Sequence, residues 1–354
     1  MEMIMENWRY SFLAAALLAA ACGDLEPEVS GTAAGTEDVP TKATLALLAD
    51  SQVNSLAVWI MSGDDTTYVS SAGNGLVAEC RADEAKIFAA GNIAGWGAGD
   101  GAPVRPHADT VTANLAAMTA NNITCSFALD QTLLPGINEL EIQAPRDICK
   151  ITLEKVENRI SEGAYAGKTI TVEKVFLING VGKYRIFAQN GSSSGRWWFS
   201  PSGMSPDAVW NDKTASHIAA LVKSGEFYMN PPDLSYSNPW RNIAHGASET
   251  LNLSLYTGPN DTEEDFWAGS AAGLQAGGWV PRKTRLVLQC QIDGHRCYYP
   301  LTIDKPKANC HYIVRKLVIT RFGTDYPDQP FDFSSSAASI LLATWDNHPL
   351  REII

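Results

Sequence analysis

The sequence predicts a mainly β protein, two β-sandwich domains with a few short helices, and three observations carry that prediction. Apolar residues alternate with polar or small ones in short runs, the period of a strand with one face turned inward. Clusters of Gly, Pro, Asn, Asp and Ser separate the runs at short intervals. The 354 residues are enough for two separate cores, and 45% hydrophobic with 19% charged residues is the balance of an ordinary globular protein.

Taken in order, Leu56, Val58 and Ile60 alternate with Ala57 and Trp59, and Ile151 and Leu153 with Lys150, Thr152 and Glu154. Leu251, Leu253 and Leu255 repeat the pattern. Ile313, Arg315, Leu317 and Ile319 are predicted to share one strand face, with Val314, Lys316 and Val318 on the other. Residues 340–345 are nearly unbroken apolar sequence, as expected of a strand buried on both faces. Two helices interrupt the strands: one capped by Asp109 with Val111, Leu115 and Met118 inward, and one capped by Thr214 and stopped at Gly225. The polar run 189–195 marks a break, so the domains are placed at 43–186 and 187–354.

Leu286 to Ile292, then Asp293-Gly294, then His295 to Tyr299 reads as a hairpin with a two-residue turn. Counting outward from the turn pairs Ile292 with His295, Gln291 with Arg296 and Cys290 with Cys297. Directly opposed residues are within disulfide reach, so Cys290 and Cys297 are a candidate bond, the alternative being two buried thiols. The other cysteines, Cys80, Cys125, Cys149 and Cys310, are too sparse for a disulfide scaffold.

A net charge of −12 opposes nucleic-acid binding, which rests on basic surfaces. Residues 1–21 read as a secretory leader, whose apolar run Phe12 to Ala21 is too short to span a bilayer. It ends Leu18-Ala-Ala-Ala-Cys22, which resembles a bacterial lipobox, whose cysteine receives a diacylglyceryl group and becomes the first mature residue. Residues 22–42 are Gly-, Ala-, Glu- and Pro-rich and read as a flexible tether. Asp24, Glu26 and Glu28 resemble the surface-export signals of Bacteroidetes lipoproteins.

No catalytic constellation emerges. The six histidines show no metal-ligand spacing. His295 and His311 flank cysteine-bearing strands, where ordinary strand positions explain them better than a zinc site. The Gly95–Gly101 run lacks the Lys-Ser/Thr of a phosphate loop, no Gly-x-Ser-x-Gly elbow or Ser-x-x-Lys occurs, and Asp261 to Asp265 lacks calcium-loop spacing. The chain is therefore expected to be non-enzymatic, with no cofactor and no metal. Trp197, Trp198, Trp210, Trp240, Trp267 and Trp279 crowd the second half. Exposed, they would form a sugar- or protein-binding face; buried, they would fill a sandwich core.

Several stretches, in order, resemble the fimbrillin family, the pilins of Bacteroidales type V pili. In the first domain these are Leu56 to Ile60, Lys86 to Asn92, Pro145 to Leu153 and Ile170 to Asn179. In the second they are Thr284 to Leu288, Tyr298 to Leu301, Asn309 to Tyr312, Gly323 to Pro330 and Trp345. The resemblance implies two sandwich domains of the transthyretin-like, Greek-key kind, export as a lipoprotein, other pilin subunits as partners, and polymerisation by strand exchange. In that scheme a protease cuts after a basic residue between the first two strands, and a neighbour's strand fills the vacated groove. Here the first strand is expected at 43–48 and the second at 56–60, and the intervening loop 49–55 holds no lysine or arginine. Lys42 precedes the expected first strand, and a cut there would release the lipid without opening the groove. Nine residues follow Trp345, little for a long donor strand. The resemblance therefore implies an anchor, tip or accessory subunit on the outer membrane, held by the lipid on Cys22 and meeting host or bacterial surface ligands. The rival reading is a surface glycan-binding lipoprotein that uses its tryptophans.

Overall fold

The computed structural model describes residues 40–48, 53–93, 111–187, 196–200, 203–206, 233–265, 281–333, 338–344 and 349–353. The leader, Cys22, the tether up to Val39, the helix expected at 214–225, and Trp210, Trp267, Trp279 and Trp345 lie outside them.

The described chain is mainly β. Its first strands are β1 (Pro40–Leu48), β2 (Ser55–Ser62), β3 (Asp65–Ala72), β4 (Gly75–Arg81), β5 (Glu84–Gly91), β6 (Thr112–Asn114), β7 (Cys125–Thr132) and β8 (Gly136–Gln143). Then come β9 (Cys149–Asn158), β10 (Ile170–Ile178), β11 (Val181–Arg185), β12 (Arg196–Ser200), β13 (Gly203–Pro206), β14 (Tyr236–Ser237) and β15 (Arg241–Ile243). The last are β16 (Ser248–Thr257), β17 (Thr284–Ile292), β18 (His295–Ile303), β19 (Cys310–Ile319), β20 (Ala338–Thr344) and β21 (Pro349–Ile353). No helix among the described residues is long and apolar enough to cross a membrane.

The first sandwich packs the sheet β4-β1-β8 on the sheet β3-β2-β5-β7. Ala43, Leu45, Leu76, Ala78 and Ile142 from one sheet meet Leu56, Val58, Ile60, Ala85 and Ile87 from the other. The alternation in 56–60 is a strand, as its period predicts, but both faces are buried: Ala57 and Trp59 pack outward against Ile186 and Phe187.

The second sandwich packs the sheet β14/β15-β10-β17-β18 on β16-β9-β19-β20-β21, around the largest core of the molecule. A smaller sheet, β13-β12-β11-β6, adds Ala113, Val181, Tyr184 and Trp198 to that core. The expected boundary at 186/187 is therefore displaced. β9 pairs with β16 and β19, and β10 pairs with β17, so residues 149–178 belong to the second sandwich. Strand pairing is non-local, and the polar run at 189–195 carries no information about which sheet its flanks join.

Two local expectations change. In place of a helix capped by Asp109, residues 112–114 pair with β11, and a 3-10 turn follows over Leu115–Ala117, capped by Asn114. Val111, Ala113 and Leu115 are all buried, so the period there is 2. In β19 the register with β20 shifts between Val314 and Lys316. The bulge inverts facing: Ile313 turns away with Leu341 and Ala343, while Val314, Leu317 and Ile319 share the core. Arg315 and Lys316 are both exposed. β20 has both faces buried, as its apolar run predicts.

Candidate functional site: the first strand and the joint beneath it

β1 is the middle strand of its sheet. It pairs antiparallel with β4, Thr41 opposite Cys80 and Leu45 opposite Leu76, and parallel with β8, Lys42 opposite Ile137 and Leu48 opposite Gln143. Its side chains alternate as a strand's must: Ala43 and Leu45 are fully buried, while Lys42 faces solvent. Lifting β1 out would leave unpaired backbone edges on both β4 and β8 above an apolar floor of Leu56, Val58 and Ile60. The strand begins at Pro40, three residues earlier than expected, so Lys42 is a strand residue. Its amine lies 3.6 Å from Glu79, and its carbonyl accepts from Asn138 Nδ2 at 3.4 Å. A cavity of about 1070 Å³ opens beside it, lined by Ile60, Asp64, Asp65, Glu79, Arg81 and Ile137 among others.

Beneath this sandwich, residues 144–148 lead from β8 to β9, and polar groups tie the joint. Asn92, at φ +59°, ends β5. Its Oδ1 accepts from Asn54 N at 2.8 Å, and its Nδ2 donates to Ile123 O at 3.1 Å. Asp147 N donates to Thr124 O, and Arg146 N donates to Asn309 Oδ1 at 3.2 Å. Asp147 is buried, and Ser126 Oγ donates to its Oδ1 at 2.5 Å. Burial, only partly offset by that hydrogen bond, pushes the Asp147 carboxyl up to about 8. Burial likewise raises the Cys125 thiol to about 12 and the Tyr184 hydroxyl well above its ordinary range, the nearby Asp147 adding to both.

A second polar knot lies in the second sandwich where β10 ends and β17 begins. Asp328, fully buried, pairs with Arg282 and with Arg285 (2.9 Å), and Arg282 Nη2 donates to Asn179 Oδ1 at 3.2 Å. The same segment pairs Thr324 with Tyr298. A Cβ on Gly323 would fall 2.5 Å from Tyr298 O, so only glycine permits this approach. Sequence reading missed both knots as sites, although Arg146, Asn179, Asn309 and Asp328 all fall in the quoted stretches.

Cys290 and Cys297 are opposed in the predicted register, across a turn with Asp293 at φ +51° and Gly294 at φ +83°. Both are fully buried free thiols. Burial holds Cys297 up at about 11 and Cys290 well above the ordinary thiol range, so both stay protonated. His311 Nε2 is 2.7 Å from Thr152 Oγ1, and His295 is exposed. Among the described residues no group of three or more His, Cys, Asp or Glu is placed to hold a metal ion. In the acidic turn, Asp261 pairs with Arg196, Glu263 with Lys305 and Asp265 with Arg285. The described tryptophans of the second half divide: Trp198 is core, Trp197 lies under the Lys183 amine, and Trp240 is exposed.

No protein-family model matches the chain, and no curated protein matches it. Solved structures do share its fold. A protein assigned to cell adhesion from Parabacteroides distasonis is 17% identical, with TM-score 0.58 over 87% of this chain and 100% of its own. One so assigned from Bacteroides eggerthii is 14% identical, with TM-score 0.56 over 89% and 98%. A fimbrilin from Porphyromonas gingivalis is 12% identical, with TM-score 0.53 over 87% and 98%. At these identities the likeness is one of fold.

Proposed function

We propose that this chain is a non-enzymatic subunit of a fimbria at the outer membrane, anchored by a lipid on Cys22 and acting in assembly and adhesion. The observation that supports it is β1, a middle strand whose removal would open an apolar groove between two backbone edges. Such a groove is completed by one extended segment, the chain's own or a neighbour's. The fold shared with a fimbrilin and with adhesion proteins supports the same reading.

A subunit that keeps β1 has no vacant groove and can stand only at one end of a strand-exchange polymer. The loop 49–55 offers no basic residue to a protease that needs one. Lys42 does, but it is paired on both sides within β1, so cleavage there requires the start of the strand to fray. A cut after Lys42 would leave residues 43–48 in the groove. We therefore assign the chain to an anchor, tip or accessory position.

The test is mass spectrometry and N-terminal sequencing of the protein recovered from cells. An acylated Cys22 is expected, together with loss of outer-membrane fractionation in Cys22→Ala. A free terminus within 49–56 would overturn the assignment and return the chain to the fibre shaft.

A further inference from the structure

Residues 236–243 run along β10 as an edge strand in two pieces, β14 and β15, broken at Asn238-Pro239-Trp240. β10 is irregular at the same level, its register with β17 shifting between Val172 and Lys174. The break carries Trp240 outward: it is 59% exposed, with its backbone at φ +46°. A bulky side chain rarely takes that conformation, which glycine and asparagine adopt at lower cost. Edge protection does not account for it. Pro239 and the break already prevent another strand from pairing there, whatever side chain follows.

The surroundings indicate what the indole meets. The other large exposed hydrophobics among the described residues, Met61, Val77, Leu134 and Ile137, all lie in the first sandwich. Trp240 instead sits among exposed Asn238, Arg241 and Asn242. Arg241 Nη1 donates to Pro239 O at 2.8 Å and its Nε lies 3.5 Å from Glu249, so the guanidinium is held close to the turn. A protein partner would need a contiguous face of about 800 Å² with an apolar centre. One aromatic plane with a fixed guanidinium beside it fits a smaller amphipathic object. A pyranose ring has such a form, with a face of C–H groups and a rim of hydroxyls.

We propose that Trp240 is a stacking platform for a pyranose residue of a surface glycan, with Arg241 donating to its hydroxyls. This deepens the adhesion part of the function proposed above and rests on that reading for its setting at the cell surface. Native gel electrophoresis of the mature protein through gels cast with neutral polysaccharides (mannan, galactomannan, a mixed-linkage β-glucan, glycol chitin) tests it. Retardation by at least one is expected, weakened about tenfold in Trp240→Gly and far less in Trp240→Phe, which keeps a flat ring. Trp240→Gly should melt no lower than wild type, because glycine relaxes the backbone, so its loss of binding would not be loss of fold. Equal retardation of wild type and Trp240→Gly would overturn the proposal. So would no retardation in any of the gels, or a Trp240→Gly effect confined to self-association in sedimentation. Recovery of both forms with fimbriae isolates the two readings: wild type absent from fimbriae would fail the assembly reading and leave the glycan result standing.

Discussion

Asp147 sits where the chain leaves β8 for β9, its Oδ1 held by Ser126 and its Oδ2 making no hydrogen bond within the protein. Burial raises its carboxyl from 3.8 to about 8. In the unfolded chain the group returns to its ordinary value, so the folded state holds the proton more tightly. The stability this contributes is complete below about pH 3.8 and is lost as pH rises through about 8. Wild-type melting temperature should therefore fall between about pH 4 and pH 8 and level off above, a fall that Asp147→Asn largely removes while keeping an acceptor for Ser126. Asp328 is buried between two guanidinium groups, those of Arg282 and Arg285. Asp328→Ala leaves Arg282 and Arg285 buried without it and should cost about 3–5 kcal/mol in denaturant unfolding. The two sites differ in how far the sequence shows them. The Cys290–Cys297 register could be counted from a two-residue Asp-Gly turn, because the turn fixes every pair that follows it. Arg282 and Asp328 stand 46 residues apart, and no local period links them.

Among the elements, strands were legible wherever one face or both had to be apolar, as in β2, β9, β17 and β20. The failures share a cause. At Val111, Leu115 and Met118 a spacing of three to four matched a helix, but Val111, Ala113 and Leu115 matched a strand equally well, and pairing with β11 decided between them. In β19 a bulge between Val314 and Lys316 inverted a facing that strict alternation would have kept. The apolar pattern shows β1 but begins three residues inside it, because Thr41 and Lys42 have no apolar signature and belong to the strand through backbone pairing alone. That pairing supports a prediction at the scale of the element. A chain beginning at Ala49 should take up a synthetic peptide of residues 40–48, detected by isothermal titration, and should melt higher with the peptide bound. Leu45→Asp in the peptide would place a carboxylate on the apolar floor and should abolish uptake.

At the scale of the whole molecule, the two sandwiches have separate central cores, and the question is whether they unfold together. Two contacts argue that they do. The outer face of β2 is not solvent-exposed: Trp59 meets Phe187 at 5.9 Å between ring centroids, and Phe88 meets Phe187 at 5.0 Å. Phe187 follows β11, whose Tyr184 lies in the core of the second sandwich. Below them, Arg146 N and Asn309 Oδ1 join the segment entering β9 to the turn before β19, and Asn309 N returns a bond to Ile148 O at 3.0 Å. This coupling is why the domain boundary was not legible. A linker is found by its composition, whereas residues 144–187 are ordinary strand sequence serving both sandwiches. Wild type at about pH 6, with Asp147 protonated, should give one calorimetric transition whose van't Hoff and calorimetric enthalpies agree. Phe187→Ala removes the aromatic wedge, and raising the pH past about 8 ionises Asp147 at the joint. Together they should split the trace, with the smaller first sandwich melting first. A single transition that survives both changes would mean that coupling is carried by the Asn309 side chain bonding Arg146 N, and Asn309→Ala should then produce the split.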